Sequence, residues 1–273
     1  MRGGPSWTAQ AVCWYRAAEL RRSDRILEDP WSERFLGPAA AALLYAPVAR
    51  PLIHGFRGLG NTIALRHRFI DDEVERSIRS GVTDVLLLGA GYDTRPWRFA
   101  DRIGLGRFWE VDHPATAAAK VARARKMPTA QVVRLSCDFE SQRLADVLRD
   151  GGFPFGSRVM VVWEGVTMYL SRPAVVETLD TLHHIVGRGS NLVADFWQAP
   201  SNRIQRLHAA VLGAIGEPLT FPLAPTELSA LVEPLGWGVE KKVTASDLAD
   251  QYARERHVYP SSWLAVLTAT EPN

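Results

Sequence analysis

The sequence predicts an α/β fold built on a mostly parallel sheet, and three observations carry that expectation. From Val82 onward, apolar runs of strand length alternate with helical patterns. The first run, Asp84-Val85-Leu86-Leu87-Leu88, is apolar without alternation, as in a strand buried on both faces. It ends in Gly89-Ala90-Gly91, where glycine lets the backbone bend sharply and lets a ligand approach the main chain.

The chain has 273 residues, enough for one large or two small domains. With 47% hydrophobic and 23% charged residues, its composition is that of a globular protein. A net charge of +2 provides no global field for nucleic acid or an anionic membrane, so the expected partner is a small molecule. Residues 1–7 have no apolar signal core, and no apolar run approaches the ~18 residues that span a bilayer. A cytoplasmic location is expected. Cys13 and Cys137 lie far apart and neither has a CxxC neighbour, which argues against a disulfide framework or a zinc site. No metal is expected.

Helical spacing runs over residues 8–22, with Ala9, Val12, Cys13, Ala17 and Leu20 recurring on one side. Asp29 and Pro30 open a short helix that Gly37 stops, residues 38–50 are alanine-rich and helical, and residues 62–80 form a helix ending at Gly81. Residues 1–80 are thus expected as a helical N-terminal lid and residues 81–273 as a cofactor-binding domain, in one compact unit. Strands are expected at 82–88, 107–111, 131–135, 158–163, 190–196, 237–243 and 262–269. Helices are expected at 115–126, 144–150, 172–186, 201–215, from 225 to near 236, and from 244 to 254, where Thr244-Ala245-Ser246-Asp247 resembles a capping box. A further helix opens at Asp93 or Thr94, both good N-caps. Right-handed crossovers place the carboxyl ends of the strands on one edge.

Acidic residues recur at those ends. Asp93 follows the glycine turn. Asp112 ends the second strand, roughly 20 residues beyond it, where a carboxylate accepts hydrogen bonds from ribose hydroxyls. It fits equally as a cap for the helix opening at His113-Pro114. Asp138, in Ser136-Cys137-Asp138-Phe139, sits where a cofactor base would lie, with its carboxylate toward an exocyclic amine and the Phe139 N–H toward a ring nitrogen. Helix capping is the alternative role. Glu164 closes the fourth strand at the topological switch point and would face the cationic end of the ligand, unless it is a solvated strand end. Tyr169 follows in a loop and is the candidate catalytic residue, with ordinary core packing as its alternative. Thr94 occupies the third position of a dinucleotide fingerprint, where glycine is required, which disfavours NAD. Glycine turn and carboxylate rim together point to S-adenosylmethionine.

These stretches resemble the leucine carboxyl methyltransferase-like family, whose bacterial members include O-methyltransferases of polyketide and other secondary metabolism. The matching segments are Trp7-Thr8-Ala9 through Arg16-Ala17, Asp29-Pro30, Arg66-His67-Arg68-Phe69-Ile70-Asp71-Asp72, Leu88-Gly89-Ala90-Gly91-Tyr92-Asp93-Thr94-Arg95, Glu110-Val111-Asp112-His113-Pro114 and Glu164-Gly165-Val166-Thr167-Met168-Tyr169-Leu170. The resemblance implies a class I methyltransferase, Rossmann-like fold of seven strands, the last inserted antiparallel, with S-adenosylmethionine as methyl donor. It implies Arg66 as the clamp for the donor's carboxylate, which suits guanidinium geometry. Read from the residues alone, Arg66 is a surface helix charge. Gly89, Asp112, Asp138, Phe139 and Glu164 carry over to donor binding, and Ala90, Gly91 and Asp93 of the same turn complete the set. The family often has Leu where this chain has Phe139, a change that a backbone contact survives. No match extends beyond about residue 200, so the resemblance does not carry the acceptor.

The expected activity is O-methylation of a small acceptor in bacterial secondary metabolism. The acceptor is expected to be acidic and partly aromatic or apolar, with a carboxylate as the methylated group. A carboxylate is ionised at neutral pH and needs no general base, which leaves proximity, alignment and water exclusion to the enzyme. A hydroxyl acceptor would draw on His113, His183, His184, His208 or Tyr169. Trp7, Trp14, Trp31 and Phe35 fit either an aromatic lid pocket or ordinary core. Arg203 and Arg206 fit either an acidic acceptor or a solvated helix face. The alternatives are hydroxyl methylation, a non-methylating reaction on the same fold, and a nicotinamide-dependent oxidoreductase.

Overall fold

The structure is a computed structural model, and it describes residues 6–45 and 57–270. The helix expected over residues 46–50 lies outside the described residues.

Seven strands form one sheet: β1 (Asp84–Leu88), β2 (Arg107–Asp112), β3 (Val132–Ser136), β4 (Val159–Trp163), β5 (Asn191–Trp197), β6 (Trp237–Thr244) and β7 (Ser262–Ala269). Their spatial order is β3-β2-β1-β4-β5-β7-β6. The first five pair in parallel, and β7 runs antiparallel between β5 and β6. This is the expected α/β architecture, with the last strand inserted. The central strand β4 is apolar throughout because both its faces are covered, and all of it is buried. Edge strand β6 instead carries Lys241 and Lys242 and a register shift between Val239 and Lys241, features that discourage further strand pairing.

Ten helices are described: α1 (Trp7–Glu19), α2 (Pro38–Tyr45), α3 (Arg57–Arg79), α4 (Arg95–Arg98), α5 (Pro114–Ala124), α6 (Leu144–Asp150), α7 (Arg172–Ile185), α8 (Arg203–Ala214), α9 (Leu228–Val232) and α10 (Ala245–Tyr252). Successive β1 residues point to opposite faces. Val85 and Leu87 meet Leu65, Phe69, Ile70 and Val74 of α3, while Leu86 and Leu88 share a core with Leu148, Leu179 and Leu182 of α6 and α7. The 65/69/70/74 spacing puts one stripe of α3 on the sheet. The fourth helix of the expected lid, over 62–80, is therefore a core layer of the sheet. The elements above the strand ends are α1, a 3₁₀ turn at Ser32–Phe35, and α2.

Local sequence explains the remaining details. Ser6 caps α1, its Oγ accepting from the Ala9 N–H at 3.0 Å. Asp29 Oδ1 accepts from the N–H groups of Trp31 and Ser32 and so opens the 3₁₀ turn. The helix expected over 225–236 is broken into two 3₁₀ turns around α9, since Pro234 lacks an N–H, and it ends at Gly236 with φ of +83°. The helix opened by Thr244 ends at Tyr252, two residues short of expectation. The helix after the glycine turn is a single turn with Thr94 at its N-cap position, while Asp93 Oδ1 accepts from the Arg95 N–H at 2.7 Å.

Candidate functional site

A cavity of about 310 Å³ lies at the carboxyl ends of β1, β2 and β4, roofed by α1. Its floor is the turn after β1. Gly89 and Gly91 have φ of +63° and +43°. A Cβ on Gly89 would stand 2.1 Å from Val166 Cγ2, so a larger residue is excluded by space as well as by backbone conformation.

Asp112 lines the cavity beside this turn. Its Oδ2 accepts from the Gly91 N–H and its Oδ1 from the His113 N–H at 2.6 Å. Burial raises its carboxyl, and these two N–H groups oppose the rise. Capping of α5 falls to His113, whose Nδ1 accepts from the Ala115 N–H. Phe139 lines the cavity, and its N–H takes part in no hydrogen bond among the described residues. Asp138 stays outside the lining, and its Oδ1 accepts from the Glu140 N–H at 3.1 Å, the capping role.

Glu164 and Arg66 both line the cavity, but they face each other. Arg66 Nε donates to Glu164 Oε1 at 2.8 Å, and Nη1 donates to Asp195 Oδ2 at 2.7 Å. Neither bond uses Nη2. Glu164 Oε1 also meets His67 Nδ1 at 2.9 Å, and Oε2 accepts from Arg95 at 3.0 Å. The carboxylate expected to face a ligand's cationic end is thus held by three protein side chains. His67, Arg66 and Arg95 together outweigh burial and keep it far below the usual carboxylate range. Burial dominates at His67 and lowers its pKa; its Nδ1 also lies 3.0 Å from the Ile63 carbonyl, and its Nε2 faces Arg16.

The pair belongs to a larger buried network. Arg95, fully buried, binds Asp71, Asp93 and Glu164. Arg98 binds Asp71, and Arg16 of α1 approaches Asp29 at 3.5 Å and donates to the Tyr92 carbonyl. Burial alone would raise the Asp93 carboxyl, but Arg95, Lys120, Arg16 and Arg98 outweigh it and hold the group at about 2. Five carboxylates (Asp29, Asp71, Asp93, Glu164, Asp195) share four guanidinium groups (Arg16, Arg66, Arg95, Arg98). His67 and Lys120 add to this set, at Glu164 and Asp93 respectively.

Farther from the turn the cavity becomes apolar, with Leu59, Ile63, Met168, Leu212 and Ile215 in its wall. Tyr169 stands between the two halves; burial pushes its phenol well up, and the Thr8 side chain opposes this. His208 lies in the apolar half, between the rings of Trp197 and Tyr259 at 5.4 and 5.6 Å. Neither of its nitrogens is hydrogen-bonded among the described residues, and burial lowers its pKa. Of the other candidate bases, His113 lines the cavity, whereas His183 is bound to the Thr270 carbonyl and His184 to the Asp180 carbonyl, both outside the lining. Arg203 and Arg206 are exposed and line nothing. Among the described residues no group of three metal-ligating side chains is placed to hold a metal ion.

The leucine carboxyl methyltransferase family model matches residues 9–183. The chain belongs to the leucine carboxyl methyltransferase family. It is 32% identical over 197 residues to a protein of Parafrankia sp. named as an S-adenosyl-L-methionine-dependent methyltransferase, a match spanning 70% of this chain and 63% of that one. It is 28% identical over 304 aligned residues to a Mycobacterium marinum protein of the same name, with 97% of each chain covered. In fold it is similar to a DUF574 family protein from Streptomyces avermitilis, with a TM-score of 0.66, 14% identity, and 94% and 96% of the two chains covered.

This leucine carboxyl methyltransferase family member is an S-adenosylmethionine-dependent methyltransferase on the class I fold. The residues present fit the donor. The donor carries a sulfonium, an ammonium and a carboxylate, and the cavity wall offers both carboxylates and a guanidinium. In such a fit Asp112 would hold the ribose, the unbonded Phe139 N–H would face the base and Arg66 Nη2 the carboxylate. The sequence reading missed Asp195, His67, Arg16 and Glu217. Asp195 carried a signal, an acidic residue inside the apolar run Leu192-Val193-Ala194-Asp195-Phe196. Arg16 and His67 lie in segments that match the family, without a role of their own, and Glu217 has no signal, because its partners are distant in the chain.

Proposed function

We propose that the protein transfers the methyl group of S-adenosylmethionine to an oxygen of a small, largely apolar acceptor. The apolar half of the cavity, continuous with the donor half past Tyr169, supports this reading. When bound, the donor supplies a methyl group on a sulfonium: the S–CH₃ bond breaks as the O–CH₃ bond forms, and a neutral thioether remains. The chain's own residues position, desolvate and manage the proton. The glycine turn and Asp112 fix one end of the site, and α1 excludes water from above.

Two acceptor oxygens fit. A carboxylate needs no base. A hydroxyl must lose its proton, and one observation favours it: His208 lies in the acceptor half, burial lowers its pKa, and neither ring nitrogen has a hydrogen-bond partner among the described residues. Arg16 and Arg66, the arginines of the lining, are already paired with carboxylates, so little positive charge is left for an acidic acceptor. On the hydroxyl reading, His208 takes the proton as the oxygen attacks.

The test is an acceptor panel of phenols, enols and aryl or alkyl carboxylic acids, read by product mass. A gain of one methylene that needs the donor supports the proposal, and no methylated product from either class counts against it. His208→Gln then separates the readings. Hydroxyl turnover should fall roughly 10²–10⁴-fold, and carboxylate turnover should not change.

A further inference from the structure

Among the described residues, five of the nine exposed large apolar side chains lie on or beside α8. Ile204, Leu207, Val211 and Ile215 recur at i, i+3, i+7 and i+11 along α8, with exposures of 72%, 66%, 51% and 37%. Trp7, at the start of α1, is 65% exposed. It sits at the same end as Ile215, because its N–H donates to Glu217 just beyond α8. At 100° per residue the α8 stripe lies between two other faces. On one side His208 and Leu212 line the cavity. On the other side are the exposed Arg203 and Arg206.

Two of these residues, Trp7 and Ile215, are both exposed and part of the cavity wall, so the patch runs into the acceptor half of the cavity. From Gln198 to Gly216 the chain has two arginines and no acidic residue. Glu217 is acidic, but both its oxygens are taken by the N–H groups of Trp7 and Thr8. The patch is therefore apolar, with two guanidinium groups at the start of α8 and the hydrogen-bonded Glu217 carboxylate beyond its end.

We propose that α8 and Trp7 form a lipid-facing surface that seats the protein on an anionic membrane and opens the cavity to an acceptor dissolved in the lipid. The charge selects this occupant. Arg203 and Arg206 have no carboxylate on α8 itself to meet them. An anionic headgroup layer supplies the missing negative charge, and its acyl boundary takes the apolar stripe. A helix with an apolar face, arginines and a nearby tryptophan lies stably in that interface. The overall charge of +2 conceals this feature because it averages the patch with acidic surfaces elsewhere. The proposal goes beyond methyl transfer, and lipid binding is measured without any acceptor.

The experiment is flotation of the full chain with vesicles of phosphatidylcholine alone or mixed with phosphatidylglycerol. The expected result is association with the anionic vesicles, weaker association with the neutral ones, and release by salt. Ile204→Asp with Leu207→Asp, and separately Arg203→Glu with Arg206→Glu, should each reduce the bound fraction roughly tenfold or more. Calorimetric donor titration of the same variants should match the parent and shows that they are folded. A second readout does not depend on those variants: brominated lipid should quench tryptophan fluorescence in the parent and quench it less in Trp7→Phe. No flotation with either vesicle overturns the proposal, as does flotation unaffected by both double variants. A dimer in ultracentrifugation that the aspartate pair dissociates, without lipid binding, also overturns it and assigns the face to a second copy. Capture of an acidic protein without vesicle binding overturns it in the same way.

Discussion

The carboxylate of Glu217 accepts a hydrogen bond from the backbone N–H of Thr8, 209 residues earlier, at 3.2 Å. Its other oxygen accepts from Trp7 at 3.0 Å. One side chain thus caps the first turn of α1 from the far end of α8 and ties the roof of the cavity to its acceptor wall. Charge at a helix N-terminus adds to the hydrogen bonds. Glu217→Ala removes this tie while Ser6 still caps Ala9. Amide exchange over residues 7–11 should quicken roughly tenfold, from a cap worth about 1 kcal/mol. Donor affinity should fall while global stability changes little. Hydrogen-exchange mass spectrometry and calorimetry check these outcomes.

Arg95 binds three carboxylates with no exposed surface. Arg95→Met leaves Asp71, Asp93 and Glu164 with less compensation in a buried setting, at a cost of about 3–5 kcal/mol. The midpoint of urea unfolding should fall accordingly. Arg95→Lys should recover only part of the loss, since one ammonium cannot reproduce a planar fork.

Asp112 has a carboxylate oxygen on Gly91 and another on His113, and it faces the cavity. Asp112→Ala should weaken donor binding roughly 10- to 100-fold, the scale of a lost hydrogen bond to a charged acceptor. Asp112→Asn, which keeps an acceptor without the charge, should fall between. Calorimetric titration with S-adenosylmethionine checks both, and wild-type affinity in the alanine variant would refute the ribose role.

Acid stability follows from the depressed carboxyls. Asp93 is held at about 2, below its unfolded value of about 4, so it binds fewer protons in the folded state. Its contribution, about 2 kcal/mol, is fully present above about pH 4 and is lost as pH falls through about 2. Asp71 and Glu164 are lowered too and act in the same direction. Unfolding measured across that range should show stability falling with acid, and Asp93→Asn should flatten the fall.

Much of the fold was legible because local rules carried it. Buried parallel strands are continuous apolar runs, so Asp84–Leu88 and Val159–Trp163 stood out. Glycine at 89 and 91 marked a turn that needs positive φ. Helix boundaries were less legible where proline intervened, as at Pro234. The lid was drawn too long because the apolar stripe of α3 shows that a face is buried without saying against what. At the site, Asp112 and Phe139 were placed by their strand ends. Asp138, by the same reasoning, turned out to cap its own turn.

The sequence by itself determined the sheet, the glycine turn and the family, since each is written in neighbouring residues: hydrophobic period, backbone permissiveness and short motifs. Only the tertiary structure decided how the charges are shared. Glu164 closes on Arg66, Arg95 and His67, Asp195 takes the other side of Arg66, and Glu217 reaches back to Thr8. These pairings join residues far apart in the chain, and a carboxylate in low dielectric is claimed by whichever cation the fold brings nearest. Sequence spacing carries no record of that competition.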